Sequence, residues 1–202
     1  MPVLDGVTVD ASDFRAAAQR AAEAMRTAED ELNAADGKLG DGDTGQTMRR
    51  VAEAMAAAAD SAAGADIGVL LRQYAMAGMT ATGSSLGTLV SVGVLEFGKA
   101  FKGRESVTVA EVAAALAAAE SVMLSRGNSQ LGDKTAIDVL HAVRTQLAGN
   151  GDLAAAARAT LAAFRDKPCR IGRARMYADK SMGIDDPGML AFVKLVEAIA
   201  GT

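Results

Sequence analysis

The sequence predicts an all-α domain of eight amphipathic helices, and three observations carry that expectation. Apolar residues recur at steps of three and four along most of the chain, β-branched alternation is confined to two VTV stretches at 7–9 and 107–109, and half of the 202 residues are hydrophobic, enough for one sizeable core. In residues 11–35, Phe14, Ala18, Ala21, Met25, Ala28, Leu32 and Ala35 alternate steps of four and three, with Arg, Glu and Asp between them. That is one face of a helix. The same period predicts helices over roughly 45–62, 66–78, 83–101, 109–125, 134–147, 152–165 and 188–200. Gly64 with Gly68, and Gly149 with Gly151, mark breaks. Thr108 followed by Glu111 forms a capping box at the head of the fifth helix. Residues 164–188 are the only long stretch without a clear helical period. A single domain over residues 1–202 is expected.

Charge and composition narrow the function. Lys plus Arg number 21 against 25 Asp plus Glu, a net charge of -4, so there is no overall basic field for nucleic acid or an anionic membrane. MPVLDGVTVDASD has neither a basic n-region nor an apolar h-region, and no apolar run reaches the roughly 18 residues of a membrane span. A cytoplasmic protein is expected. Cys169 is the only cysteine, which excludes a disulfide framework or a cysteine metal cluster and reads as an incidental residue.

Three motif matches fail on chemistry. KLGDGDTGQTM at 38–48 fits G-x-G-x-x-G through Gly40, Gly42 and Gly45, but Asp41 and Asp43 would repel a pyrophosphate and no strand precedes the loop. Gly93, Gly98 and Lys99 nearly spell a P-loop, yet Ala100 replaces the hydroxyl that binds magnesium and the stretch lies inside a helical pattern. Counted from Asp41 as an EF-hand, the twelfth position is Ala52, which has no carboxylate.

Asp36, Asp41 and Asp43 at the end of the first helix therefore need another reading. A turn at Gly42 can point Asp41 and Asp43 inward, towards Asp36, and three converging carboxylates suit an oxygen-ligated cation such as Mg²⁺. A solvated Gly-Asp turn is the competing reading. TGQTM opens the second helix, whose free N–H groups would favour an anion beside the cation, so a metal–phosphate site is expected. TATGSSLGT at 80–88 offers small and hydroxylated residues before another helix, suited to phosphate or to tight helix packing. Between 165 and 180, Arg165, Lys167, Arg170, Arg173, Arg175 and Lys180 make a basic loop, either a solvated face or a functional one.

DGKLGDGDTG, ATGSSLGT, SRGNSQLGDKT and GRARMYADKSMGIDDPG, in this order and close to this spacing, resemble the nucleotide-binding L subunit of dihydroxyacetone kinases (DhaL-type) over about residues 10–200. The resemblance implies an antiparallel barrel of eight helices that holds two Mg²⁺ and ADP or ATP at one end. Asp36, Asp41 and Asp43 match the metal-binding aspartates. Thr44, Gly45, Gln46 and Thr47 match a phosphate-contacting turn, Ala81 and Thr82 a phosphate loop, and Gly127 and Ala136 further nucleotide contacts. Arg173 matches the arginine of a G-R-A motif, the one candidate catalytic residue, and Asp186, Pro187 and Gly188 match a closing D-P-G turn. Thr44 stands where many L subunits carry His, and TATGSS replaces a more Gly-rich loop.

The resemblance further implies half an enzyme. In the family a separate K subunit holds the keto-sugar through a histidine, whereas His141 here falls within an apparent helix and reads as packed or surface. Some family members use free ATP and others recharge bound ADP from a phosphotransfer protein; both remain open, as do three- and four-carbon sugars. DGDTG also resembles the DhaL-like domain of fatty-acid kinases, but GRA and DPG favour the keto-sugar branch. A non-catalytic nucleotide-binding module is the alternative from a different class.

Overall fold

Asp10 begins the first helix: its carboxylate accepts the N–H groups of Ser12 and Asp13, while Asp13 reaches back to the Asp10 N–H. This capping box satisfies donors that the first turn would leave orphaned. The resulting helix α1 (Ala11–Asp36) buries Ala22, Met25, Ala28 and Leu32, the stripe the sequence predicts, and then ends that stripe on Asp36. A carboxylate thus continues an apolar face into the protein.

In the computed structural model of the chain, residues 7–61, 66–149 and 151–201 are described, with the backbone alone for Asp60, Ser61, Arg173 and Tyr177. Gly64 therefore lies outside the described residues. After α1 come α2 (Thr44–Ser61), α3 (Ile67–Ala81), α4 (Ser85–Ala100), α5 (Val109–Gly127), α6 (Ala136–Ala148), α7 (Leu153–Phe164) and α8 (Pro187–Ala200). Each helix packs on the next and α8 returns to α1, which closes the barrel. Consecutive packed helices alternate in direction, with a long connection only before α8, so the N-termini of α2, α4, α6 and α8 share one end. No described helix is long and apolar enough to cross a membrane.

Two features differ from the sequence expectation. The VTV stretches, too short to argue for a sheet, pair with each other as β1 (Thr8–Asp10) and β2 (Ser106–Thr108), antiparallel with Val9 opposite Val107. The ribbon joins the heads of α1 and α5, and the Thr108–Glu111 capping box forms as expected. In the 164–188 segment, Arg173–Ser181 winds into a 3-10 helix. The near P-loop is ordinary helix: Gly93 lies where a Cβ would press on Met123 of α5, and Gly98 where one would press on Leu71 of α3. Those glycines serve packing.

Gly45 lets the head of α2 lie against α1, because a Cβ there would overlap the Glu29 carbonyl and the Asn33 side chain. Gly45→Ala should cost about 1–3 kcal/mol through forced separation of the two helices. Gly83→Ala, where a Cβ would meet nothing within 4 Å, should stay within about 0.5 kcal/mol of wild type. Urea denaturation of both variants checks this.

Candidate metal and nucleotide site

The acidic loop is assembled by the end of α1. Asp36 is buried, and its Oδ2 accepts the backbone N–H groups of Asp43 at 2.9 Å and Thr44 at 3.2 Å. Asn33, one turn earlier, accepts the N–H groups of Gly45 at 2.8 Å and Gln46 at 3.2 Å through Oδ1. Thr47 N–H then begins the regular helical ladder by donating to the Asp43 carbonyl. The head of α2 is thus capped by two side chains of α1. The N–H groups of the α2 head, expected to be free, are therefore already satisfied within the protein. Thr44, Gln46 and Thr47 keep partly exposed side chains, whereas Gly45 is buried.

The same capping gathers the carboxylates. One oxygen from each of Asp36, Asp41 and Asp43 lies within 4.8 Å of the others, with Asp36 buried and the other two exposed. Gly42 makes the turn between them at a φ of 78°, a conformation that suits glycine. A Cβ at Gly40 would overlap Asp36 Oδ1, so that glycine leaves room for the oxygen not used in capping. The G-x-G-x-x-G pattern therefore reflects carboxylate and helix packing. Three carboxylate donors at this spacing fit a hard divalent cation such as Mg²⁺, which takes oxygen ligands.

The other candidates surround this end of the barrel. Ala81 is the last residue of α3 and Thr82 its C-cap; Thr82 Oγ1 accepts the Ser84 N–H at 3.0 Å. Ser84 begins α4 without a side-chain cap hydrogen bond, so α4, unlike α2, receives no capping from the side chain before it. Gly127 ends α5 beside Leu89 of α4, and Ala136 opens α6. A Cβ on Gly188 would lie 3.7 Å from Leu86 of α4 and 3.8 Å from Ala136, so the heads of α4, α6 and α8 meet there. Asp186 caps α8 by accepting the Met189 N–H at 2.8 Å, with Pro187 in the first turn. Burial first, and the charge of Asp36 further, push the Asp186 carboxyl up to about 6 against the pull of the Lys134 ammonium and two backbone N–H groups.

Arg173 opens the 3-10 helix and its side chain lies outside what the structure describes. The next residue, Ala174, is buried with Cys169 against Leu39 of the aspartate loop, with Ile184 packed beside them. The basic segment thus docks beside the carboxylates. Its cations are not equivalent: Arg165 forms a bidentate pair with Asp185 at 2.8 Å for both contacts, and Lys167 lies 3.5 Å from the Phe164 ring centroid. Arg170 and Arg175 are exposed. Cys169 is buried, and burial pushes its thiol up, which makes it a poor nucleophile. His141 is half-exposed on α6 and contacts Glu120 at 3.1 Å, away from any role as a buried catalytic base.

Sequence reasoning missed Asn33 and Lys134. Asn33 sits one turn before Asp36, on the side of α1 that meets the α2 head, a spacing that could have flagged it. Lys134, between Asp133 and Thr135, reads as a surface lysine, yet it is 2% exposed. Nothing local announces its burial.

A closed eight-helix barrel with three carboxylates clustered at one end defines a class of helical domain suited to holding a divalent cation. Residues 38–201 match the DAK2 domain, and the chain belongs to that family. It is 34% identical over 122 residues to an L-erythrulose 1-kinase of Mycolicibacterium smegmatis, a match covering 56% of this chain and 21% of that protein. The fold is similar to the dihydroxyacetone kinase of C. freundii in its native form, with a TM-score of 0.73 and 24% identity over 93% of this chain and 34% of that one. Against the C. freundii kinase in complex with AMP-PNP and Mg²⁺ the TM-score is 0.69 at 25% identity, over 93% and 33%. The chain spans about a fifth of the erythrulose kinase and about a third of the C. freundii kinase.

The double role of Asp36 separates it from its neighbours. Asp36→Ala should destabilise the metal-free protein by about 1–3 kcal/mol through loss of the α2 cap. Asp43→Ala should be neutral or stabilising there, since it relieves repulsion. Chemical denaturation in EDTA compares the two.

Asp186 supplies a pH test. Its raised folded value means that, between about 4 and about 6, the unfolded chain loses a proton that the folded one keeps, so this group's contribution to stability falls as pH rises through that window. Asp186→Asn keeps a capping oxygen without the charge. Its stability relative to wild type should therefore rise from about pH 4.5 to about pH 7, measured by urea denaturation at both.

Proposed function

We propose that this chain binds ADP or ATP with two Mg²⁺ and supplies the phosphoryl group to a keto-sugar held by a separate K-type subunit. The observation that carries this reading is the carboxylate cluster, three oxygens within 4.8 Å of one another at the end of a DAK2-family barrel where the heads of α4, α6 and α8 meet. The kinase activity of the erythrulose relative and the Mg²⁺ and AMP-PNP of the C. freundii complex support a metal-dependent phosphotransferase.

Asp36, Asp41 and Asp43 would hold the metal ions, which would supply positive charge to offset that of the phosphates. The aspartates act as ligands, since a carboxylate committed to a cation is a poor base. The α4 head, with Ala81 and Thr82 before it, is the phosphate platform, because it carries no side-chain cap where the α2 head carries two. Gly127 and Ala136 would flank the nucleotide, and Asp186, Pro187 and Gly188 would close the site around it. Arg173 would meet phosphate oxygens, where a planar guanidinium can donate in a fork. The chain's own histidine is engaged with Glu120, so sugar capture falls to the partner subunit. ATP or a phosphotransfer protein could serve as the phosphoryl source on this chemistry.

Calorimetry should detect ADP binding with Mg²⁺ and none in EDTA, with affinity reduced more than tenfold, over about 1.4 kcal/mol, in Asp41→Ala or Asp43→Ala. With dihydroxyacetone or erythrulose and Mg-ATP, the chain alone should form no product, and adding the cognate sugar-binding subunit should start turnover. Arg173→Lys should slow that turnover. Unimpaired Mg-ADP binding by both aspartate variants contradicts the metal assignment, and robust turnover by the isolated chain contradicts the partner.

A further inference from the structure

We propose that Lys134 is a positioning residue whose buried ammonium fastens both stems of the 165–184 loop and so holds its arginine-bearing apex against the aspartate loop. Its effect on turnover rests on the kinase reading above; its effect on the loop does not. Lys134 Nζ donates to the carbonyls of Arg165, Lys167, Ser181 and Ile184, each at 2.8 Å. Two of these acceptors belong to the stem that enters the loop and two to the stem that leaves it. One ammonium has three protons, so four carbonyls around it share them as they would share a bound cation.

Other contacts close the same base. Gly183 N–H donates to the Arg165 carbonyl at 3.0 Å, Cys169 N–H to Ser181 Oγ at 2.8 Å, and Arg170 N–H to the Asp133 carbonyl at 3.2 Å. Among these contacts of the described residues, that of Lys134 reaches both stems at once from outside the loop. Its backbone adopts a φ of 65°, uncommon for a residue with a side chain, which marks a position held by its surroundings. Removing the ammonium would deprive the Lys167 and Ile184 carbonyls of this donor and leave those of Arg165 and Ser181 with the Gly183 and Ile184 N–H groups alone. The stems would then be tied more loosely.

The geometry above the clamp gives the loop its consequence. Cys169 and Ala174 pack on Leu39, one residue before Gly40 and two before Asp41. The apex between residues 168 and 180 therefore reaches the carboxylate cluster only while its stems are set correctly. Lys134 also directly precedes Thr135, the N-cap of α6, so one residue ties the loop to the helix that opens with Ala136.

The apex is rich in trypsin sites, including exposed Arg170 and Arg175, so cleavage there reports loop opening without nucleotide or partner. Lys134→Met should be cut within residues 170–180 more than tenfold faster than wild type. Its Mg²⁺ affinity should stay within twofold of wild type, while kcat with the cognate subunit, measured well below the unfolding transition, falls more than tenfold. Lys134→Gln keeps two N–H donors and should give intermediate values, and it decides the matter if the methionine variant does not fold. A wild-type cleavage rate in a folded variant overturns the clamp. Faster cleavage with unchanged turnover overturns the positioning role, and so does failure of both variants to fold, which would make Lys134 a folding determinant. A wild-type chain inert with its partner contradicts the kinase reading alone, since the cleavage comparison still stands.

Discussion

A single carboxylate oxygen of Asp36 takes the N–H groups of Asp43 and Thr44, and that sharing welds the acidic loop to the helical frame. The α2 head cannot begin where it does without an acceptor for its first donors, and α1 supplies both of them from one face, Asn33 and Asp36. The chain between is thereby drawn into a tight loop that brings Asp41 and Asp43 back over Asp36. Crowding explains the glycines. Gly40 yields to the Asp36 side chain, Gly42 makes the turn, and Gly45 lets α2 lie against the backbone of α1. The three carboxylates are consequently gathered by the fold itself, at the cost of mutual repulsion.

The remaining helix heads complete a divided site. Because α2 is capped from within, the proposed phosphate platform is the head of α4, which begins after a stretch of small residues with no side-chain cap. The α6 and α8 heads lie beside it at Gly188, and the basic loop packs on the aspartate loop through Leu39. Negative and positive elements thus stand side by side on a protein whose net charge is only -4. Such an arrangement suits a ligand that carries both metal and phosphate.

The helical frame was legible because amphipathic period survives in every element: all eight helices lie close to the predicted segments, and α1 buries the Met25, Ala28 and Leu32 face. The pairing of the two VTV stretches was not legible, since three residues carry too little pattern to name a partner nearly a hundred residues away. At the site, the three aspartates were visible from their spacing around Gly42. The fate of the α2 donors was not, because a helix head looks the same in sequence whether water, phosphate or another helix satisfies it. Lys134 was hidden for a related reason: its four partners are backbone carbonyls, which every residue possesses.

The central claim, that the Asp36, Asp41 and Asp43 cluster is a metal centre through which a nucleotide binds, is tested most directly by thermal denaturation of wild type and Asp43→Asn with ADP in Mg²⁺ or in EDTA. With ligand near a hundred times its Kd, the account predicts a rise of roughly 5–10 °C for wild type in Mg²⁺, none in EDTA, and none for Asp43→Asn in either. An equal rise in EDTA, or a wild-type rise in Asp43→Asn, would contradict it.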